Sequence, residues 1–343
     1  PHRVEPFCPY FARCGGCHYQ HAAYEFQLAQ KAEILRETLR RAGNIAAEDF
    51  GVVSGQSPRY YRNRVQLHIS GGEIGFRQAA SRRICPVSLC PVASPALNDA
   101  LAALRRMAPD RRFPKFVRSI ELFTNESQVQ LNVIDSAQPV ARRFFEWCAE
   151  AIPGARAGSL DYPAAGRLFR VSRRSFFQVN RFLIDALVDT AVGEAEGETA
   201  LDLYAGAGLF SMALCARFRS VTAVESSAAA ARDLAHNAQR AACGVRVEQS
   251  SAERFLEGLS RPPDFVLADP PRAGLGRAVV RSLLRLAPPR LALVSCDPAT
   301  LARDLEWLTS GGYRIDRVRM VDLFPQTFHI ETVAFLSLGG LTR

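Results

Sequence analysis

Cys296 and Glu331 are the residues whose types and settings point most directly to chemistry. Cys296 lies in Val294-Ser295-Cys296-Asp297-Pro298, directly after the apolar run Leu291-Ala292-Leu293-Val294. Glu331 closes the segment Phe324-Pro325-Gln326-Thr327-Phe328-His329-Ile330-Glu331. A thiolate adds readily to an electron-poor carbon and leaves readily again, while a carboxylate can accept a proton that the occupied sulfur cannot. Beside a cofactor pocket, the pair suits covalent catalysis with a separate proton acceptor. That is what placing a carbon substituent on C5 of a pyrimidine ring requires. Alone, each residue would pass for a small buried hydrophobe or a solvated acid, so the surroundings carry the argument.

From about residue 180 the surroundings alternate. Helices are expected at 180–192, 208–217, 228–242, 276–286 and 299–310, and strands at 199–203, 220–224, 245–248, 264–268 and 290–294. Strand against helix in this order is the pattern of a doubly wound, mostly parallel α/β sheet, which binds ligands at the carboxyl ends of its strands. Residues 313–316 and 332–336 read as an antiparallel hairpin at the sheet's edge. Strand 199–203 runs into Tyr204-Ala205-Gly206-Ala207-Gly208, a Gly-X-Gly turn that opens a helix and allows close backbone approach to a ligand. The third glycine of a dinucleotide fingerprint is missing. Glu225 ends the next strand, where a carboxylate can hold both ribose hydroxyls. Asp269 ends a later one, ahead of Pro270 and Pro271, which stop the strand. With Asp202 before the glycine loop, the set fits S-adenosylmethionine better than NAD.

The first half reads differently. Residues 1–20 form a tight loop, 21–42 a helix stopped at Gly43-Asn44, and strands are expected at 64–69, 73–77, 120–123 and 129–133 around a helix at 94–107. This is an α+β module, and 343 residues hold two domains. The net charge is +9, and of 43 basic residues only Lys31 and Lys115 are lysines. Arginine-dominated positive charge favours a nucleic-acid partner. Nine cysteines without an export signal argue against a disulfide framework. No run approaches the roughly 18 apolar residues of a membrane span, so a cytoplasmic protein is expected. The absence of a coiled-coil repeat favours a monomer. The chain opens at Pro1 and not at a methionine, which suggests an upstream segment.

Taken together, 202–210, Asp269-Pro270-Pro271-Arg272-Ala273-Gly274, 295–305 and 324–331 resemble the RNA uracil-C5 methyltransferases, which make 5-methyluridine in ribosomal or transfer RNA. The resemblance spans nearly the whole chain. It implies a Rossmann-like class I methyltransferase domain over 166–343 that uses S-adenosylmethionine. It implies that Cys296 attacks C6 of uracil and that Glu331 removes the C5 proton. It also implies cofactor contacts from Gln178, Tyr204, Gly206, Gly208, Glu225 and Asp269, and a stacking surface at Phe176. Ser251 stands where relatives carry Asn.

Cys8-Pro9-Tyr10-Phe11-Ala12-Arg13-Cys14-Gly15-Gly16-Cys17 resembles the iron–sulfur branch that acts on 23S rRNA. Cys85-Pro86-Val87 and Cys90-Pro91-Val92 both offer the fourth cysteine of that branch, and Cys90 matches the family text better. The implied 4Fe–4S cluster is held by Cys8, Cys14, Cys17 and Cys90 in an RNA-binding α+β domain over 1–165. Zinc is the other metal such a thiol set could take. Arg59, Arg62, Arg64, Arg77, Arg82 and Arg83 are expected to grip phosphates. The small RNA-binding β-barrel of many members has no counterpart, which leaves target selection open. A transfer-RNA T-loop uridine methyltransferase, a cytosine-C5 methyltransferase and a non-catalytic RNA-binding protein remain the competing readings. The cysteine motif, the Ser-Cys-Asp-Pro context and the intact Cys296 and Glu331 weigh against them in that order.

Overall fold

The computed structural model describes residues 1–339. The first elements are α1 (Tyr24–Gly43), β1 (Phe50–Val53), β2 (Arg64–Ser70), β3 (Glu73–Arg77), β4 (Ile84–Pro86), α2 (Pro95–Met107), β5 (Val117–Thr124), β6 (Val129–Ser136), α3 (Arg142–Ala151) and β7 (Ala155–Arg156). Then come β8 (Leu160–Ala164), β9 (Arg167–Val171), α4 (Ile184–Val192), β10 (Gly197–Leu203), α5 (Leu209–Leu214), β11 (Phe218–Val224), α6 (Ala228–Arg240) and β12 (Val245–Glu248). The chain closes with α7 (Ala252–Gly258), β13 (Phe265–Ala268), α8 (Gly276–Leu286), β14 (Arg290–Ser295), α9 (Pro298–Ser310), β15 (Tyr313–Val321) and β16 (Glu331–Leu338).

The larger sheet has eight strands in the order β1-β15-β16-β14-β13-β10-β11-β12. It is parallel except for β16, which runs antiparallel to both its neighbours. The order reverses at β10, with β11 on one side and β13 on the other. This is the switch point at which a doubly wound sheet leaves a crevice. The central strands β13 and β14 are buried along almost their whole length, as expected where helices cover both faces. The smaller sheet is six-stranded, β4-β3-β2-β5-β6-β7, and α2 packs on it. Its core, including Leu67, Ile120 and Leu122, is separate from the two cores of the larger sheet.

One expectation needs correcting. The β15–β16 hairpin is not at the edge: β16 is inserted between β14 and β15, and β1 covers β15 as the true edge strand. Strand β1 and helix α1, both from the N-terminal stretch, belong to the larger sheet's layer. The apolar face of α1, with Leu35 and Leu39 fully buried, packs on α9. Burying each leucine contributes about 1.5–3 kcal/mol. The first 165 residues therefore contribute strands to both sheets. The helix ends at Asn44, whose left-handed backbone (φ 51°) lets its N–H cap the Leu39 carbonyl. No helix among the described residues is long and apolar enough to cross a membrane.

Candidate active site

The antiparallel turn of β16 is what brings Cys296 and Glu331 together. Ser295 pairs with Thr332, and Val321 with Glu331, so the first residue of β16 emerges at the same edge as the end of β14. Cys296 follows directly. It is held between the strand and helix α9, whose N-cap Asp297 accepts from the N–H groups of Ala299 (3.0 Å) and Thr300 (2.9 Å). Pro298 at the first helical position then fixes the turn. Glu331 is 4% exposed, and Cys296 is half-buried.

Burial pushes the Cys296 thiol up, and the Glu331 charge adds to the rise, while Arg272 opposes it. Burial likewise lifts the Glu331 carboxyl well above the carboxylate range, with nearby Asp269 adding and Arg272 again opposing. Two buried ionisable groups thus face one arginine, which comes from the Asp269–Gly274 segment. Sequence reasoning quoted Arg272 within its motif but gave it no role.

The cofactor side gathers at the switch point. Tyr204, Gly206 and Gly208 all have left-handed backbone (φ 62°, 57° and 93°), and this winds the chain from β10 into α5. A side chain at Gly206 would meet only open space, whereas one at Gly208 would collide with Leu234 (2.5 Å). Gly206 therefore faces open space, and Gly208, in the same turn, also lets α6 pack closely. The Gly206 N–H donates to Glu225 Oε2 (2.9 Å), which places the β11 acid beside the glycine turn. Asp269 follows β13 across the same crevice, and Gln178 Nε2 reaches its Oδ2 at 3.5 Å. Asp202 is fully buried under the loop. Its carboxyl is lifted to about 7 by burial, and its Oδ1 has no hydrogen-bond partner. Open space at Gly206 with a carboxyl group on each side of the glycine turn fits an adenosine-bearing, positively charged cofactor.

The neighbouring residues fall differently. Phe176, which core packing could have claimed, is 60% exposed beside Gln178. Ser251 caps α7 by accepting from the Arg254 N–H. Of the six arginines expected on phosphates, Arg59, Arg77, Arg82 and Arg83 are exposed, but Arg62 and Arg64 turn inward. Arg64 lies over the Phe123 ring (4.3 Å) and pairs with Glu121 (3.3 Å), and Arg62 packs near Tyr61 and Phe324.

Sequence reasoning also missed what holds the loop ahead of Glu331. Lys31 and Asp322 form a fully buried ion pair (2.6 Å). Successive loop carbonyls are caught from outside: Leu323 by Asn180 (3.1 Å), Phe324 by Lys31 (2.9 Å), Pro325 by Tyr61 (3.0 Å). The Gln326 carbonyl accepts from the backbone N–H groups of His18 (2.8 Å) and Tyr19 (3.0 Å), directly after Cys17. The available signal was Lys31 itself, which shares the apolar α1 face with Leu35 and Leu39.

Cys8, Cys14, Cys17 and Cys90 line one cavity of about 260 Å³ beneath this clamp, together with Tyr10, Phe76 and Arg62. Burial is the main cause of their raised thiol pKa values, about 11 for Cys14 and about 12 for Cys17. Cys85 is absent from that lining. It is fully buried, and its Sγ accepts from Arg13 Nε at 3.4 Å. Among the described residues, no group of three His, Cys, Asp or Glu side chains is gathered tightly enough for a single metal ion.

The family model described as tRNA (Uracil-5-)-methyltransferase matches residues 163–338. Among curated relatives, a 23S rRNA (uracil(1939)-C(5))-methyltransferase of Halomonas elongata is 33% identical, covering 97% of this chain and 77% of the relative. An uncharacterised RNA methyltransferase of Streptomyces coelicolor is 34% identical over 97% of this chain and 79% of its own length. Among solved structures, the Pyrococcus abyssi tRNA (uracil-54, C5)-methyltransferase in complex with S-adenosyl-L-homocysteine superimposes with a TM-score of 0.77. It is 26% identical and covers 94% of this chain and 85% of that one.

Proposed function

The chain belongs to the tRNA (uracil-5-)-methyltransferase family, enzymes that methylate uracil C5 in RNA with S-adenosylmethionine, and we propose that it acts on 23S rRNA through a covalent adduct on Cys296. The observation that carries the mechanism is the strand register that sets Cys296 beside Glu331 at the cofactor edge.

In this reading the Cys296 thiolate adds to C6 of the uracil, and the displaced electron pair makes C5 nucleophilic. The bound cofactor supplies the electrophilic methyl group. Glu331 then takes the C5 proton, the C5–C6 double bond re-forms, and Cys296 leaves as thiolate. A second base is needed because the sulfur is occupied while C5 still carries its proton. Gly206, Gly208, Glu225, Tyr204, Gln178 and Asp269 hold the cofactor, with Glu225 on the ribose hydroxyls and Asp269 with Gln178 nearer the reacting carbon.

The N-terminal thiols are read as ligands of a 4Fe–4S cluster, Cys8, Cys14, Cys17 and Cys90, in an RNA-binding unit within 1–165, with 166–343 carrying the transfer chemistry. The shared cavity supports that ligand set, and so does the exclusion of Cys85 from it. The cysteine motif and the 23S-specific relative favour ribosomal RNA in the cytoplasm. The structural likeness to a tRNA uracil-54 enzyme keeps transfer RNA as the second reading.

Incubation with labelled S-adenosylmethionine and unmodified 23S and transfer RNA tests the choice. Label recovered as 5-methyluridine from 23S RNA is expected. Label from transfer RNA alone would keep the mechanism and overturn the substrate.

A further inference from the structure

The chain's other lysine, Lys115, is exposed. It lies on the loop between α2 and β5, which with α3 encloses an open cleft of about 740 Å³. Arg111, Lys115 and Arg143 line this cleft above an aromatic wall that includes Phe116 and Trp147. The nearby acids are largely taken: Asp110 by Arg112 (2.8 Å) and Glu146 by Arg142 (2.9 Å). Arg112 also lies over the Trp147 ring (4.3 Å) and is drawn to Glu150, the remaining acid. Arg111, Lys115 and Arg143 have no ion-pair partner among the described residues. In addition, Arg142 and Arg143 occupy the first turn of α3, whose N-cap Ala141 offers no side-chain acceptor. The helix dipole makes that end positive and disfavours cations there. Positive charge is thus gathered in a concavity against the local preference of the backbone, with Arg111, Arg112, Lys115 and Arg143 outnumbering Glu146 and Glu150 in its lining. A concave positive field beside aromatic rings suits a nucleic-acid strand.

The cleft is far from the chemistry. Strand β5 starts beside it and ends at Thr124, whose N–H binds the Asn63 carbonyl, while the Asn63 side chain binds the Gln178 carbonyl (3.0 Å). Eight strand residues separate the two ends, about 25 Å at ~3.3 Å per residue. A uridine seated at Cys296 does not reach that far, but the RNA that flanks it can.

We propose that this cleft is a second RNA contact, which holds the phosphate backbone of the substrate away from the target uridine. The proposal rests on the RNA reading above. Its test compares the full chain with the triple variant Arg111→Glu/Lys115→Glu/Arg143→Glu, all three positions being exposed. Fluorescence anisotropy would follow binding to a long structured RNA and to a short uridine-centred oligonucleotide across a salt series, with methylation measured in parallel.

The long RNA should bind the variant at least about tenfold more weakly, with a salt slope reduced by roughly two to three, near one per lost phosphate contact. The short oligonucleotide should bind both proteins equally. Unchanged affinity and slope on the long RNA would overturn the proposal and point to an acidic protein as the cleft's partner. Equal losses on both RNAs would also overturn it, because the effect would then act through the fold. Wild-type protein that binds RNA but methylates none would contradict the catalytic reading alone, while wild-type protein that binds no RNA would sink both.

Discussion

At the scale of single residues, burial works against the protonation states that the proposed mechanism asks of Cys296 and Glu331. Burial favours the protonated forms of both Cys296 and Glu331, and Arg272 pulls both toward the ionised forms that attack and proton removal require. The turnover rate should therefore rise with pH through neutrality, because each ionisation lies above its ordinary range. Replacing Arg272 with Met raises both groups further, so the pH–rate profile should move to higher pH. Because Arg272 is exposed, added salt should narrow the difference between variant and wild type. A variant profile superimposable on that of the wild type would remove Arg272 from the account. Cys296 and Glu331 were legible in sequence as candidates because their motifs are specific. Arg272 was not, since its effect depends on the crevice bringing it back over two residues distant in the chain.

At the scale of elements, the loop ahead of Glu331 depends on the N-terminal helix. Lys31 of α1 neutralises Asp322 and holds the Phe324 carbonyl, so α1 fixes the approach to Glu331 from across the sheet layer. Lys31→Met would leave Asp322 as an unpaired buried charge and should cost about 3–5 kcal/mol in urea unfolding. Where the variant is still folded, kcat should fall more than cofactor affinity does. Adding Asp322→Leu should recover much of the stability but not the turnover, because the Phe324 carbonyl keeps only Thr327 of its own loop as donor and still lacks its tie to α1. Equal recovery of both would contradict a positioning role. The repeating strands and helices after residue 180 were legible from their periodicity. The insertion of β16 beside β14 and the docking of α1 and β1 were not, because strand order is set by tertiary packing and leaves little trace in local pattern. The single lysine on an apolar helix face was the one visible sign.

At the scale of the whole molecule, the cysteine loop, the clamped loop and the cofactor edge form a continuous path. His18 and Tyr19, next to Cys17, hold the Gln326 carbonyl of the loop that leads to Glu331. If the four cavity thiols bind iron, Cys17→Ser should strip iron and sulfide from the purified protein. Cys85→Ser should retain both, since Cys85 lies outside the cavity lining. Iron and sulfide analysis checks this, and iron lost on replacing Cys85 would reassign the fourth ligand. Cys85 and Cys90 carry the same Cys-Pro-Val text, so sequence favoured Cys90 only through the longer text that follows it, and the folded cavity adds that its lining includes Cys90 and leaves out Cys85.

The most direct measurement uses Glu331→Gln. A glutamine cannot take the C5 proton, so turnover should fall roughly 10²–10⁴-fold while attack and methyl transfer proceed. Peptide mass mapping after incubation with S-adenosylmethionine and substrate RNA should find methylated uridine covalently attached to the Cys296 peptide. RNA bound by the variant with no adduct, or with the adduct on another cysteine, would contradict covalent catalysis by Cys296 with Glu331 as its base.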